Sequence, residues 1–511
     1  MQTLWEMFQT KLSIHSFHGL FDMQKHVCIV GSGTAGLITA IMLRGMFPLY
    51  KITVVSSSSI GIIGVGEGST EHWRQGFQTP YNINVNELVS ECAATHKYGI
   101  RFENWTNHTP DYFHSVSLPG VGPNDFAANY AFCLENNRLL TSSMISHLYN
   151  NNIVKVTGAN QHDSVNQFHF DTNKLNNYLT VVAKTRDVTF IDDEVINVKQ
   201  DTVSGFITEV GLTKNGSVLA DFFVDASGFR RALMSQIVKE DDFVSYRKYL
   251  PTDSAAVFQT ESDPSGEIRP YTRARALSSG WVFEIPTQER RGNGYIYASD
   301  FCSDDQAVKE VSDLIGKELT PRIIKFKSGY YKQGLKHNCV AVGLAGSFVE
   351  PLEATSISTT IQQARMIGQL LPTFNEGSKA QTKDYNKKFA DLMDNILVMI
   401  SLHYVSDRTD SEMWKAQQNA ELPETLQNLL ELWKERVPSI FDFSDTGYGL
   451  FHSAHLWHVA QGQGVLNTEA ATTQLNAFGS RDWAAGALAN FKSEQVRNGL
   501  VDHGSIFKQK K

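Results

Sequence analysis

The chain has 511 residues, of which 41% are hydrophobic and 20% charged, and its formal net charge is −8. A chain of this length can bury a large core, as one domain or as two to three subdomains. The negative charge argues against nucleic acid or an anionic membrane as partner, because both attract clustered positive charge. No stretch approaches the roughly 18 apolar residues of a membrane span. The five cysteines form no C-x-x-C pair, so we expect free thiols in a cytoplasmic protein.

A dinucleotide-binding pattern opens the chain. The apolar strand 26–30 runs into a G-x-G-x-x-G turn and then into a predicted helix over 37–44. Such glycines permit the tight turn and the close approach to a pyrophosphate, which the positive end of the helix attracts. The residues of this turn assigned to the cofactor are Gly31, Gly33, Thr34, Ala35 and Gly36.

The second predicted strand, 51–55, lacks the acidic residue that usually binds the ribose of the dinucleotide. That residue is expected about 20 positions after the glycine turn, where this chain has Ser56 and three further serines. Ser56 can hydrogen-bond a ribose hydroxyl, but less strongly than a carboxylate does. A glycine-dense loop follows, which we interpret as an element against a flavin rather than as a plain surface turn. Its residues assigned to the cofactor are Gly64, Val65, Gly66 and Glu67.

Three later segments carry further candidates. Residues 218–228 form an apolar strand that ends in small residues, so Asp225 either approaches the cofactor or serves only the turn. A third buried strand, over 339–343, ends at Gly343 and is assigned to the same cofactor site. Lys97 lies near the junction of predicted helix and strand; a lone lysine is usually a solvated charge. The aromatic residues around Lys97, and its possible pairing with Glu353, favour a buried position instead.

The order and spacing of these segments resemble those of flavin-dependent halogenases of the tryptophan-halogenase type, through most of residues 24–460. The matching segments are Gly31–Gly36, Gly64–Gly68, the Lys97 segment, Asp221–Phe229, Gly280–Pro286, Gly294–Tyr297, Asn338–Ile357 and the region of His403 and Tyr404. The family motif G-W-x-W-x-I-P has Phe283 in place of its second tryptophan, and E-P-L-E-S-T-G has Ala354 and Ser356 in place of serine and glycine. These departures indicate a divergent member, for which a viral or marine origin and a preference for heavier halides stay open.

The resemblance implies an α/β fold: a Rossmann-like FAD-binding domain of the flavin monooxygenase type, with an interleaved β-sheet substrate region and a helical C-terminal region. We assign residues 24–375 to the FAD-binding domain, with the substrate-binding sheet at about 240–330. Residues 376–511 are assigned to a mostly helical region that covers the substrate site. Leu352 joins the cofactor contacts. No second strand and G-x-G-x-x-G turn is present for NAD(P)H, so a separate flavin reductase is expected to supply FADH2.

The resemblance also implies a reaction, in which a flavin hydroperoxide and chloride, bromide or iodide yield hypohalous acid. Backbone N–H groups of Thr355 and Ser356 would hold the halide ion. Lys97 would hydrogen-bond the hypohalous acid or form a haloamine, and Glu353 would orient the oxidant and accept the proton of the arenium intermediate. The substrate is expected to be an electron-rich small aromatic molecule of the indole, phenol or pyrrole type. Its predicted walls are Trp105, Phe113 and Trp457, whereas His114 is interpreted as structural and left out of the catalytic set.

Two other functions stay open at this stage. A flavin-dependent aromatic monooxygenase would hydroxylate its substrate without needing the pair Lys97 and Glu353 or a halide. A non-catalytic protein of the FAD fold would show no effect of Lys97→Ala on any turnover. The sequence predicts no metal site. It leaves open the particular substrate, whether that substrate is carrier-tethered, the halide, the regiochemistry and the oligomeric state.

Overall fold

Six strands form the sheet from which the predicted dinucleotide turn projects, here called the nucleotide sheet. In spatial order they are Leu335–Lys336, Cys339–Ala341, Phe222–Asp225, His26–Val30, Lys51–Ser56 and Thr189–Asp192. The computed structural model describes residues 24–62, 64, 66–115, 153–155, 165, 167–262, 266–439, 441–443, 447–478 and 500–507. All pairs in this sheet are parallel except the edge hairpin of Leu335–Lys336 with Cys339–Ala341. Val27, Cys28 and Ile29 are fully buried, as expected for a parallel strand covered on both faces.

The first helix, Thr34–Met46, begins inside the glycine turn and covers one face of the nucleotide sheet. It was predicted over 37–44, and its residues from Gly36 to Leu43 are buried. It packs against helix Thr172–Thr185 and helix Thr355–Leu370. Helix Thr355–Leu370 begins directly after Ala354, where the chain turns into it.

A seven-stranded sheet, here called the large sheet, lies beside the nucleotide sheet in the fold. Its strands in spatial order are Arg322–Lys325, Ser254–Glu261, Arg290–Tyr297, Gly280–Pro286, Thr272–Ala276, Gly99–Glu103 and Asp111–Ser115. The predicted substrate sheet at about 240–330 supplies five of these strands. The other two come from 99–115 and join through the parallel pairing of Gly99–Glu103 with Thr272–Ala276. Lys97 lies two residues before strand Gly99–Glu103 and is thereby fixed at the start of an interior strand of the large sheet.

Smaller sheets complete the β-structure. One contains Val195–Gln200, Ile207–Leu212 and Ser217–Leu219, and a second contains Phe243–Ser245, Gly329–Tyr331 and Ser347–Phe348. A third contains Glu67–Gly68, Phe168–Phe170 and Thr95–His96. A fourth pairs Ile153–Lys155 with Leu500–Asp502. The third holds the glycine-dense loop against the Lys97 segment, because Phe168–Phe170 pairs with both Glu67–Gly68 and Thr95–His96.

Helices dominate the described residues after 370. Besides the helices named above, the α-helices of the described ranges are Val85–Glu91, Met234–Ile237, Asp304–Ile315, Lys379–His403, Glu412–Gln417, Glu424–Glu435, Ser453–Gly462 and Thr468–Phe478. Helix Lys379–His403 packs against Ser453–Gly462, and one apolar cluster extends from Val27 to Ala471. Within the described ranges, no helix is long and apolar enough to cross a membrane. The cysteines of those ranges are buried and unpaired: Cys28, Cys92, Cys302 and Cys339.

Candidate active site

A cavity of about 570 Å³ opens at the carboxyl ends of the strands of the nucleotide sheet. Ligands of open α/β folds bind at this edge. The predicted cofactor and halide residues that line the cavity are Gly31, Gly33, Thr34, Ala35, Ser56, Gly64, Gly66, Glu67, Gly343, Leu352, Thr355 and Ser356. The cavity therefore joins the glycine turn to the start of helix Thr355–Leu370, although these segments are more than 300 residues apart in the sequence.

The glycine turn has the shape that a dinucleotide requires. Gly31 has φ +112°, and a Cβ there would lie 2.3 Å from the carbonyl oxygen of Ala226. Gly33 is different, because a Cβ at this position would meet no atom within 4 Å. Its open side adjoins the cavity, and a pyrophosphate can approach the backbone there. Gly36 does not line the cavity; a Cβ there would lie 2.0 Å from the oxygen of Gly31, so it serves the packing of helix against turn.

Asp225, assigned to the cofactor from the sequence, does not line the cavity. Its carboxylate is fully buried and accepts hydrogen bonds from the Ser227 hydroxyl at 2.6 Å and from the backbone N–H groups of Leu233 and Met234 at 2.8 Å. Through these hydrogen bonds, the Asp225 carboxylate stabilises the turn that follows the strand. The alternative that Asp225 serves only the turn fits this geometry. Val65, another assigned residue, lies outside the described part of the chain.

An acidic residue that follows a neighbouring strand lines the cavity together with Ser56. Ser56 pairs in register with Asp192 on the neighbouring parallel strand, and two residues later Glu194 lines the cavity. Its carboxylate lies 3.1 Å from Nη1 of Arg230, which also lines the cavity. The second strand, Lys51–Ser56, is not followed by a carboxylate, but the adjacent strand, Thr189–Asp192, is followed by that of Glu194. Sequence reasoning did not find it because strand order is not visible in the sequence.

The glycine-dense loop is tied to the first helix by a hydrogen bond. The Thr34 hydroxyl donates to Oε1 of Glu67 at 2.9 Å. Burial raises the pKa of Glu67 to about 7, although this hydrogen bond acts in the opposite direction. Gly64 approaches Thr172 so closely that a Cβ would lie 2.4 Å from its methyl carbon. These contacts fix the loop along the cavity.

Lys97 is buried, with 1% of its surface exposed, which excludes the solvated position that a lone lysine usually takes. It lies between strand Thr95–His96 and strand Gly99–Glu103. Its Nζ donates a hydrogen bond to the carbonyl oxygen of Ser69 at 2.9 Å. Burial lowers the pKa of Lys97 to about 8, and the negative charges of Glu353 and Glu71 oppose this shift.

Gly68 brings Lys97 to the wall of the cavity. A Cβ added to Gly68 would lie 3.4 Å from Nζ of Lys97 and 3.5 Å from Cβ of Ala354. Gly68 and Ala354 line the cavity, whereas Lys97 does not. The ammonium group therefore lies behind the part of the wall where Gly68 meets Ala354. We call the group of buried residues around Lys97 and Glu353 the lysine chamber.

Glu353 is held by two buried histidines. Nδ1 of His114 lies 2.8 Å from Oε2 of Glu353, and Nε2 of His403 lies 2.8 Å from Oε1. Although burial opposes ionisation, the two imidazoles outweigh it and lower the pKa of Glu353 to about 2. The carboxylate is thus an ionised acceptor, to which His114 donates through Nδ1 and His403 through Nε2. His114, interpreted from the sequence as structural and left out of the catalytic set, contacts the candidate base directly.

The network continues on both sides of Glu353. Burial lowers the pKa of His403, so its ring is neutral and its Nδ1 accepts from the Tyr112 hydroxyl at 2.7 Å. On the other side, Nε2 of His114 lies 2.9 Å from Nδ1 of His455. His403 belonged to a matching segment of the sequence without a role, and nothing in the sequence singled out Tyr112 or His455.

Glu350, one turn before Glu353, has a different environment. Its Oε2 accepts hydrogen bonds from the Tyr404 hydroxyl at 2.8 Å, from Nε1 of Trp281 at 3.2 Å, and from the Thr252 hydroxyl. These are neutral donors, and burial raises the pKa of Glu350 to about 7. Glu350 therefore ties helix 379–403 to the large sheet.

The three aromatic residues predicted to form substrate walls are all buried and do not line the cavity. Trp105 is fully buried, and its Nε1 donates to the carbonyl oxygen of Ala274 at 3.1 Å. Trp105 packs against Trp281, Tyr404 and Trp414, and its role as a substrate wall stays a prediction. Phe113 packs edge-to-face on Tyr271, and the ring of Trp457 lies 5.5 Å from that of His458.

The start of helix Thr355–Leu370 adjoins the cavity. Ala354 has φ +54° and precedes the helix, whose first residues are Thr355 and Ser356. The first N–H groups of a helix have no partner within it and attract anions. Because Thr355 and Ser356 line the cavity, the predicted halide cradle faces the cofactor space.

Comparison with known proteins agrees with this architecture over nearly the whole chain. The tryptophan halogenase family profile matches residues 26–477. Tryptophan 6-halogenase SttH of Streptomyces toxytricini is 33% identical over 446 residues, which cover 81% of this chain and 84% of that protein. The structure of a tryptophan halogenase from Shewanella frigidimarina NCIMB 400 is similar with a TM-score of 0.83 and 25% identity, over 95% of this chain and 97% of that one. BrvH, a flavin-dependent halogenase from Brevundimonas sp. BAL3, has a TM-score of 0.82 at 28% identity, over 94% and 98%.

The fold and the site define a flavin-dependent oxidoreductase with a Rossmann-like FAD-binding fold, and the predicted α/β class is confirmed. The chain belongs to the tryptophan halogenase family, and it is a flavin-dependent halogenase. The resemblance seen in the sequence is thereby confirmed, and the hydroxylase alternative is not favoured.

Proposed function

We propose that the chain uses FADH2, O2 and a halide to halogenate a small electron-rich aromatic molecule of the indole, phenol or pyrrole type. Relatives such as SttH act on tryptophan, which supports an aromatic substrate. The position of Lys97 carries the proposal, because its ammonium lies behind the wall where Gly68 and Ala354 line the cavity. An oxidant that leaves the cavity at this wall meets a buried hydrogen-bond donor first.

The residues around the cavity fit FAD. The backbone at Gly33 would take the pyrophosphate, since no atom lies within 4 Å of a Cβ there. Ser56 and Glu194 would take the ribose hydroxyls, and Gly66, Glu67 and Leu352 would contact the flavin end. When bound and reduced, FAD supplies with O2 the two-electron oxidation of halide to hypohalous acid. The backbone N–H groups of Thr355 and Ser356 would hold chloride, bromide or iodide.

Lys97 and Glu353 would act on the oxidant and the substrate. Lys97 would donate a hydrogen bond to hypohalous acid, or bind its halogen as a haloamine. From hypohalous acid, a carbon–halogen bond forms as the oxygen–halogen bond breaks, and the ring proton passes to the Glu353 carboxylate and from there to the departing hydroxide, which leaves as water. On the haloamine route, the neutral amine of Lys97 first takes the halogen and water departs. The carbon–halogen bond then forms as the nitrogen–halogen bond breaks, and the ring proton passes through Glu353 to the amine. The burial of both side chains excludes water that would otherwise dilute the oxidant.

We also propose that a separate flavin reductase supplies FADH2. The described part of the chain contains one strand that enters a G-x-G-x-x-G turn, at His26–Val30, and that turn is assigned to FAD. Action in the cytoplasm is part of the same proposal, supported by the buried unpaired thiols of Cys28, Cys92, Cys302 and Cys339.

The test is mass spectrometry of reactions that contain FAD, NADH, a flavin reductase and indole, phenol or pyrrole. Chloride, bromide and iodide are supplied separately, and Lys97→Ala is assayed in parallel. We expect a halogenated product that Lys97→Ala does not form. A hydroxylated product formed without halide would instead establish the monooxygenase, and steady NADPH oxidation by the chain alone would overturn the need for a reductase.

A further inference from the structure

Glu71 is a second carboxylate beside the lysine chamber, and the roles proposed above do not use it. It lies two residues after Ser69, whose carbonyl oxygen accepts the hydrogen bond of Lys97. Its side chain is 18% exposed, yet its Oε2 is buried and has no hydrogen-bond partner among the described residues. Its Oε1 lies 3.6 Å from Nε2 of His455 and 3.9 Å from Nδ1 of His72, both beyond hydrogen-bond distance.

Two imidazoles connect Glu71 to Glu353. Nδ1 of His455 lies 2.9 Å from Nε2 of His114, and Nδ1 of His114 lies 2.8 Å from Oε2 of Glu353. The two rings are nearly perpendicular, at 89°, with centroids 5.1 Å apart. His455 and His114 therefore lie between the carboxyl group of Glu71 and that of Glu353, the candidate base. The negative charge of Glu71 also acts on Lys97, where it opposes the lowering of the pKa by burial.

The ammonium of Lys97 balances the charge of Glu71 only in part. The ammonium of Lys97 faces two carboxylates, and Glu353 is already stabilised by His114 and His403. Burial holds the pKa of His455 well below its usual range, so this ring is neutral and brings no charge to Glu71. Burial also raises the pKa of Glu71 to about 7, although a hydrogen bond from its own backbone N–H and the charges of His114 and Lys97 act in the opposite direction.

An unpartnered buried carboxyl oxygen destabilises a fold by about 1–3 kcal/mol. Native proteins retain such groups where a ligand or ordered water completes the hydrogen bond. A donor on the substrate is the fitting partner here, because the ring to be halogenated must lie close to Lys97 and Glu353. Indole, pyrrole and phenol each carry one donor directly on the electron-rich system, a ring N–H or an O–H group.

We propose that Glu71 determines substrate specificity by accepting a hydrogen bond from the ring N–H or O–H group of the aromatic substrate. This inference rests on the proposed function. The attack of the halogen gives the ring positive charge, which makes its N–H or O–H group a stronger donor. The hydrogen bond to Glu71 therefore strengthens in the transition state and raises kcat as well as binding.

The test compares each donor substrate with its methylated analogue: indole with 1-methylindole, pyrrole with 1-methylpyrrole, and phenol with anisole. For wild type and Glu71→Leu, kcat/KM for halogenated product is measured with a flavin reductase present, after subtraction of the Lys97→Ala background. We expect the preference for the donor substrate to fall roughly 10- to 100-fold in Glu71→Leu, in line with the loss of one hydrogen bond to a charged group. Most of the loss is expected in kcat.

Glu71→Gln and Glu91→Gln make the comparison decisive. Glu71→Gln keeps the size of the side chain and one acceptor oxygen. Its preference for the donor substrate over the methylated analogue should therefore fall less than that of Glu71→Leu. If Glu71→Leu does not fold, Glu71→Gln still reports on the site. Glu91 is exposed at the end of helix Val85–Glu91, and Glu91→Gln should keep the wild-type preference. Equal loss for donor and methylated substrates in both Glu71 variants would overturn the inference and leave Glu71 a partner of water. Absence of halogenated product from wild type with every substrate would instead contradict the proposed function.

Discussion

Nδ1 of His114 lies 2.8 Å from Oε2 of Glu353, and both side chains are buried. This contact joins strand Asp111–Ser115 of the large sheet to the turn that precedes helix Thr355–Leu370. It is one of two hydrogen bonds that keep the Glu353 carboxylate ionised in a site from which water is largely excluded. A base that must accept a proton from a ring carbon is useful only in this ionised form.

We expect His114→Leu to move the acidic limb of the halogenation pH profile towards neutrality. Removal of one hydrogen bond to the carboxylate, worth about 1.5–3 kcal/mol, raises the pKa of Glu353 from its low value of about 2 by roughly one to two units. The measurement is kcat for halogenated product between about pH 2 and 6, in short assays, because the shifted limb is expected at about pH 3–4. An unchanged acidic limb with uniformly lower kcat would mean that His114 only supports the local fold.

Lys97 should govern the alkaline limb. Its pKa is lowered to about 8 by burial, so the fraction that carries the ammonium falls as the pH rises through about 8. Halogenation should decline over that range if the charged form donates to hypohalous acid. Oxidation of the reduced flavin by O2, followed by absorbance in the same samples, provides the control and should not decline with it. If the lysine acts instead as a neutral amine that forms a haloamine, the rate will rise across this range.

The glycine turn offers a matched pair of variants. Gly33→Ala should weaken FAD binding at least about tenfold without changing the melting temperature of the apoprotein, because its Cβ projects into open space where the pyrophosphate must approach the backbone. Gly31→Ala should lower that melting temperature, because φ is +112° and its Cβ would meet the carbonyl oxygen of Ala226. Flavin fluorescence titration and thermal melts measure the two effects. Unchanged FAD affinity in Gly33→Ala would contradict the assignment of this turn.

Two buried glutamates should respond to pH in opposite ways. The pKa of Glu350 is raised to about 7 from 4.5, so the fold favours its neutral form, and the resulting stability is present below about 4.5 and lost as the pH rises through about 7. Glu350→Gln should therefore gain stability relative to wild type between pH 5 and 8, by up to about 3 kcal/mol.

Glu353→Gln is the control for that comparison. Because the pKa of Glu353 is lowered to about 2, its contribution to stability is present above about 4.5 and lost only as the pH falls towards 2. The difference in melting temperature between Glu353→Gln and wild type should thus stay constant from pH 5 to 8. A pH-dependent difference for Glu353→Gln, or none for Glu350→Gln, would contradict the environments described here.

Local sequence determined the elements of the cofactor site. The strand His26–Val30, the glycine turn and the first helix follow from apolar periodicity and glycine spacing, because their physical causes act over a few residues. The burial of Lys97 was also correctly favoured, from the aromatic residues that flank it. The order of the motifs was enough to indicate the halogenase family.

Tertiary structure alone decided which distant side chains meet. His114, His403 and His455 come together around Glu353 because the edge strand Asp111–Ser115 lies against helix 453–462, while helix 379–403 ends beside them. The partner of a buried charge depends on packing between segments hundreds of residues apart, which local patterns do not encode. For the same reason, local patterns did not show that Asp225 holds a turn or that Trp105 packs in the core. Nor did they show that Glu194 lines the cavity, although the second strand lacks the acidic residue expected there.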